Sequence, residues 1–225
     1  MAEQPELPIS DQAFRAAQRA ARDGEWNESL PTSLAEVAAG VSLCRRCELW
    51  RNATQGVPGV GPAHAALMLV GEQPGDQEDR AGKPFVGPAG RVLDAGLERA
   101  GVPRGEVFIT NAVKHFKHEP RGKRRLHKTP DAGEVSACRW WLDAERRLVR
   151  PKVVVAMGAT AALGVFGRPT PVGANRGKVL EAGRAKGLVT YHPSYLLRLP
   201  DEAAKKAAFK LFVTDLREAR ALAGS

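Results

Sequence analysis

The stretch Leu67–Leu97, LMLVGEQPGDQEDRAGKPFVGPAGRVLDAGL, constrains the fold more than any other. Leu67 to Val70 is a short apolar run ending at Gly71, the pattern of a buried strand. Beyond it Glu72, Asp76, Glu78 and Asp79 are mixed with Gly71, Pro74 and Gly75, and then Gly82, Pro84 and Gly87 frame Phe85. Pro88 suits the first position of a helix after the permissive Gly87. Leu93, Leu97 and Ala100 share a face of that helix, and Gly101 can end it. Roughly fifteen glycine- and proline-rich residues between strand and helix are far more than the usual two to six. A connection of this kind places polar groups at the carboxyl edge of a sheet, where ligands of open α/β sheets bind.

Other short apolar runs extend the sheet. Val107 to Thr110 reads as a second strand with Asn111 at its end. Val153 to Met157 is a third, continuous and β-branched as in a strand covered on both faces. Leu188 to Tyr191 is the last, running directly into His192-Pro-Ser-Tyr-Leu-Leu-Arg198, and the glycine-rich residues 167–187 hold one weak strand, Lys178 to Leu180. A short helix is expected over Ser33–Ala39, with Ser33 as cap and Glu36 at the capping-box position. Another opens with Thr129 as cap and Pro130, and carries Val135, Cys138 and Leu142 on one face. Gly158 to Leu163 forms a third, and a final helix from Asp201 to Leu222 has Phe209, Phe212, Val213 and Leu216 as its core stripe. Phe14 to Arg22 reads as helical within an otherwise patternless N-terminus. The expected architecture is a single α/β domain over residues 34–225, with a central parallel four-stranded sheet and helices on both faces, after an N-terminal extension of residues 1–33.

Length and composition narrow the class. A chain of 225 residues suffices for one domain with a sizeable core. Its formal charge of +9 suggests a polyanionic partner. No basic start followed by an apolar core marks a secretory signal, and Val153–Gly167 is too short and glycine-broken to span a bilayer. Three cysteines without an export signal fit the reducing cytosol and thiolates rather than disulfides. The expectation is a cytoplasmic monomer with no membrane partner.

Cys44-Arg-Arg-Cys47 is a spacing shared by redox pairs, zinc sites and iron–sulfur sites. Redox use is disfavoured, because no thioredoxin-like βαβ start surrounds it. Cys138 reads equally as a core cysteine or a third ligand. Three thiolates need a fourth partner from His64, His115, His118, His127 and His192, and zinc with three cysteines and a histidine fits as well as iron. Arg121 to Lys128 packs five Lys/Arg into eight residues, a solvated loop or a phosphate-binding one. Asn111 caps a turn or reads a base edge. His192, fixed in direction by Pro193, is a turn histidine or a functional one, and Ser194 with nearby backbone N–H groups suits a phosphate.

Gly71-Glu-Gln-Pro-Gly75, Gly82-Lys-Pro-Phe-Val-Gly87, Asn111 and His192-Pro-Ser-Tyr-Leu-Leu-Arg198 together resemble the iron–sulfur branch of the uracil-DNA glycosylase superfamily, over roughly residues 40–220. The resemblance implies a parallel sheet with helices on both faces and uracil-containing DNA as partner. It implies that Glu72 polarises the reaction centre, that Phe85 stacks on a flipped-out uracil and that Asn111 reads its edge. His192 would act on the uracil carbonyl, with Ser194 beside it and Leu197 as the wedge that fills the gap in the duplex. The family's VVKC segment, which supplies a cysteine to a 4Fe-4S cluster, stands here as Val113-Lys-His115, making His115 the candidate fourth ligand beside Cys44, Cys47 and Cys138. That departure, the lengthened basic stretch and Gln73 in place of a small residue are similar to the UdgX subgroup. Membership there implies covalent linkage to DNA through His127, with Gln73, Asp76 and Arg125 on the substrate side. Capture by water with multiple turnovers, and a metal-bearing module without chemistry, are the alternatives.

Overall fold

A computed structural model describes residues 30–122 and 124–224. The helix expected over Phe14–Arg22 lies outside the described residues.

Five strands form the main sheet: β1 (Leu67–Gly71), β2 (Val107–Asn111), β5 (Val153–Met157), β6 (Leu180–Ala182) and β7 (Ala185–Thr190), in the order β2-β1-β5-β7-β6. Four of them are parallel, and β6 adds an antiparallel edge through the pair Leu180–Gly187. The expected four-stranded sheet therefore gains a strand. The glycine-rich region turns at Gly183 (φ 64°) and pairs back on β7 over Leu180–Ala182 rather than over Lys178–Leu180.

The apolar runs act as doubly covered strands do, sending alternate side chains to opposite faces. Leu67 and Leu69 join Val153, Val155 and Met157 in one core. Met68 and Val70 join Val154 and Ala156 in the other. The first is covered by α3 (Pro88–Ala100), α7 (Pro193–Arg198) and α8 (Glu202–Gly224), with Leu93, Leu97, Leu196, Phe212 and Leu216 facing inward. The second lies under α4 (Ala132–Val149) and α5 (Ala159–Phe166). A third cluster joins α1 (Leu34–Leu43) to α4 and encloses Cys44 and Cys138. The short helices α2 (Asp76–Ala81) and α6 (Val172–Asn175) complete the set.

Helix starts follow side-chain caps. Ser33 accepts from the Glu36 N–H as expected, while the Glu36 carboxylate reaches back to the Thr32 N–H. α4 begins later than its Thr129-Pro130 signal. Asp131 accepts from the Glu134 N–H while Glu134 accepts from the Asp131 N–H, and this reciprocal box sets the start. The basic stretch is not a loop but an antiparallel hairpin of β3 (His118–Arg121) and β4 (Arg124–His127), with His118 opposite His127.

One fully buried ion pair ties β2 to α4. Lys114 Nζ donates to Glu145 Oε2 at 2.7 Å, to Thr110 Oγ1 at 2.6 Å and to the Asn111 carbonyl at 2.8 Å. Both side chains have no solvent exposure. Thr110 Oγ1 and the Gly59 N–H also donate to Glu145. Lys114→Met should strand a buried carboxylate and lower stability by about 3–5 kcal/mol in urea unfolding. The double variant Lys114→Met/Glu145→Leu should recover only part of that, since the Gly59 N–H and the Thr110 hydroxyl lose their acceptor.

Candidate active site

The carboxyl ends of β1, β2, β5 and β7 meet at one edge. The chain leaves β1 towards β2 on one side and returns to β5 on the other, so the crevice between β1 and β5 is a topological switch point. Glu72 follows β1, and Thr160 at the start of α5 donates to its Oε2 at 2.9 Å across that crevice.

Phe85 and Asn111 converge over Gly71. A Cβ there would lie 2.3 Å from Asn111 Oδ1 and 2.5 Å from Phe85 Cζ, so only glycine permits the approach. Phe85 is held in the left-handed region at φ 56°, a strained conformation for a bulky residue. Glu78 imposes it by cinching the loop, accepting from the Gly75 N–H at 3.1 Å and the Gly87 N–H at 2.7 Å. The Phe85 ring lies 5.9 Å from the His192 ring at a 33° tilt.

Two buried polar atoms at this edge have no protein partner, Asn111 Oδ1 and His192 Nε2. A buried polar atom left unpaired costs about 1–3 kcal/mol, so both keep an unused hydrogen-bonding capacity at this edge. The tautomer of His192 follows from its neighbours. The Ser194 N–H donates to Nδ1 at 3.1 Å, so a neutral ring carries its proton on Nε2. Burial pushes His192 down to about 4, keeping it neutral near pH 7. Ser194 Oγ lies 2.8 Å from Nδ1 and accepts from Arg198 at 2.9 Å. Leu197, one residue before that arginine, is exposed.

His127 closes the site from the hairpin. Its Nε2 lies 3.3 Å from Glu72 Oε1, and its ring is half exposed. Burial pushes the Glu72 carboxyl up, but hydrogen bonds from His127 and Thr160 outweigh it and hold the group below its usual range. Glu72 is thus a carboxylate at neutral pH.

Gln73, Asp76 and Arg125, expected on the substrate side, are engaged in anchoring the hairpin. Gln73 accepts from the Lys117 N–H at 2.9 Å and donates to the Lys117 and Lys128 carbonyls, gripping both strands at their base. Arg125 donates to Asp76 Oδ1 and to Asp79 Oδ2, both at 2.5 Å, and lies over the Phe116 ring at 5.4 Å. Its charge is thereby neutralised at the hairpin anchor. Asp79, Lys114 and Thr160 were not legible as site residues, because their roles depend on partners far away in sequence, and Glu78 was not, because its partners are backbone N–H groups of its own loop.

Of the candidate metal ligands, Cys44, Cys47 and Cys138 belong to the cluster between α1 and α4. Cys44 accepts from Trp141 Nε1 at 3.1 Å, and Cys138 from the Lys114 N–H at 3.1 Å. Burial pushes the Cys138 thiol up to about 12 and the Cys47 thiol upward, an environment in which thiolates need a cation beside them. His115 follows Lys114 in the chain and is buried, which pushes it down to about 4 and leaves a neutral imidazole with a lone pair to give. Among the described residues no three His, Cys, Asp or Glu side chains stand close enough to hold a single metal ion. By chemistry, three thiols with N–H donors at their sulfurs and a neutral histidine fit the ligand set of a cluster, in which each iron takes its own ligand.

Residues 58–217 match the family model of the uracil DNA glycosylase superfamily. The chain belongs to that superfamily. Within it, the chain is 40% identical over 169 residues to a type-4 uracil-DNA glycosylase of Pyrobaculum aerophilum, covering 71% of this chain and 82% of that protein. It is 39% identical over 164 residues to a type-4 enzyme of Thermotoga maritima, covering 72% and 82%. A type-4 enzyme of Archaeoglobus fulgidus is 36% identical over 176 residues, covering 75% and 85%. The superfamily match includes Glu72, Phe85, Asn111 and His192, whereas Cys44 and Cys47 precede it. Among the described residues no helix is long and apolar enough to cross a membrane.

The buried neutral His192 has a consequence for stability. In the unfolded chain a histidine binds its proton near pH 6.5, roughly, whereas folded His192 stays neutral until about 4. Between these values the unfolded state holds more protons, so stability falls as pH falls. Thermal unfolding of His192→Asn should show a shallower loss of Tm than the native protein between pH 6.5 and 4.

Proposed function

We propose that this protein excises uracil from DNA and then remains covalently attached to the sugar through His127, the behaviour of the UdgX subgroup. The observation that carries the reading is the meeting of Phe85, Asn111, His192, Glu72 and His127 at one sheet edge, two of them with unpaired buried atoms. Relatives named as uracil-DNA glycosylases support the substrate.

Duplex DNA hides the glycosidic bond, so the nucleotide is flipped out and the base stacks on Phe85, gaining about 1–3 kcal/mol. Asn111 Oδ1 accepts from the uracil N3–H while its amide donates to the neighbouring carbonyl. Cytosine presents an amine there and is refused. As the bond from sugar to base breaks, negative charge grows on the uracil, and the Nε2–H of His192 donates to the carbonyl that carries it. The ionised Glu72 lies under the positive charge left on the sugar. One imidazole nitrogen of His127 then gives its lone pair to the anomeric carbon, and the proton on the other passes to Glu72. The N-alkylated imidazole is a poor leaving group, and the reaction ends after one turnover.

Cys44, Cys47, His115 and Cys138 would hold a 4Fe-4S cluster, which would supply a structural cross-link between α1, α4 and the turn after β2. Protein purified anaerobically should be brown and contain iron and acid-labile sulfide in equal amounts, whereas a colourless protein carrying zinc rejects the cluster.

Incubated with uracil-containing DNA, the protein should give a retarded band on a denaturing gel that survives heat. His127→Ser should lose that band and release free uracil through water. A crosslink by His127→Ala at the native rate would assign the nucleophile elsewhere, and an abasic product without crosslink would favour the multiple-turnover reading. Phe85→Ala and Asn111→Ala should each slow uracil processing roughly 5- to 150-fold, the equivalent of about 1–3 kcal/mol.

A further inference from the structure

A groove of about 390 Å³ lies between α3, α7 and the first turns of α8. Val92, Leu196 and Phe209 form its apolar floor, and Arg91, Lys205 and Lys206 stand around it. No carboxylate is among the described residues lining it. Lys205 is oriented by Glu202 at 2.8 Å, while Arg91 and Lys206 are exposed. Leu197 forms one edge, 47% exposed, on the helix whose cap is His192. Pro88 forms another, next to the Gly87 held by Glu78 and two residues after the exposed Val86. The groove is therefore bordered by residues that follow both segments of the candidate active site in the chain, the Phe85 loop and the His192 turn.

We propose that this groove binds a nucleotide flanking the flipped uracil on the same DNA strand, its base against Phe209 and its phosphates on Arg91 and Lys206. The inference rests on the uracil-DNA reading above and adds a subsite to it. An apolar floor alone would suit a protein segment. A floor flanked by the exposed Arg91 and Lys206, with the carboxylate of Glu202 engaged on Lys205 and none lining the groove, suits a ligand that is flat and apolar in the middle and anionic at its edges, as an unstacked nucleotide is. The position of Leu197 selects the same strand, since the residues flanking the gap it fills are the nearest nucleotides to the groove.

The test uses single-stranded oligonucleotides with one uracil, lengthened one nucleotide at a time on its 5′ or its 3′ side, under single-turnover conditions. In the native protein the second-order rate of uracil processing should rise by about tenfold at one length, on one side only, when the strand reaches the groove. In Arg91→Glu/Lys206→Glu the ratio of long to short substrate should fall towards one, and the salt dependence for the long substrate should flatten by about two charges. No step in the native protein, or an equal step in both proteins, overturns the subsite. A step that appears only when the complementary strand is annealed assigns the groove to that strand and overturns it too. If the native protein processes no uracil oligonucleotide of any length, the glycosylase reading itself fails.

Discussion

Everything at the site depends on the last position of β1 having no side chain. Gly71 ends a strand buried on both faces, and the ring of Phe85 and the amide of Asn111 occupy the space that a Cβ would take. In the proposed reaction both groups must come this close for a planar base to be stacked on one and read by the other. Gly90 makes the same concession behind the loop, where a Cβ would lie 1.9 Å from the Phe85 carbonyl oxygen. The sheet edge is thus a packed surface from which two side chains have been deleted to admit functional ones.

That arrangement has a cost, and the surroundings offset it. A left-handed Phe85, an unpaired Asn111 oxygen and an unpaired His192 nitrogen are each unfavourable in the free protein. They persist because stiffer elements leave no alternative. Glu78 fixes both ends of the Phe85 loop, Lys114 holds the Asn111 carbonyl from beneath, and the Ser194 N–H fixes the His192 ring. Pre-orientation of this kind is what gives an electrostatic site its strength, because no reorganisation remains to be done when charge develops.

The sequence was legible where structure follows local pattern. The parallel strands read as continuous apolar runs, and the last helix as a 3.6-residue stripe, because burial alone selects those residues. The edge strand β6 was misplaced, since Leu180-Glu-Ala182 has one buried side chain and no usable alternation. The hairpin was illegible for a different reason. Arg124-Arg-Leu-His127 buries almost nothing, and its strands are held by Gln73, Asp76 and Asp79 from a segment some fifty residues earlier. Composition reported a dense positive charge there, but charge density cannot say which arginine faces solvent and which is paired.

That distinction alters the meaning of the basic stretch. Arg125 is neutralised by two carboxylates and stacked on Phe116, which also lies 6.1 Å from the His127 ring. Two residues apart on β4, Arg125 and His127 point to the same side of the hairpin. Anchoring the arginine therefore directs the histidine towards Glu72. In an untethered loop an imidazole would visit that carboxylate only part of the time, and water would reach the sugar first. Tied by Arg125 and Gln73, it sits beside Glu72 before DNA arrives. In the proposed reaction this is the difference between a glycosylase that hands its intermediate to water and one that captures it, and the arginines of the stretch divide between that task and contact with DNA.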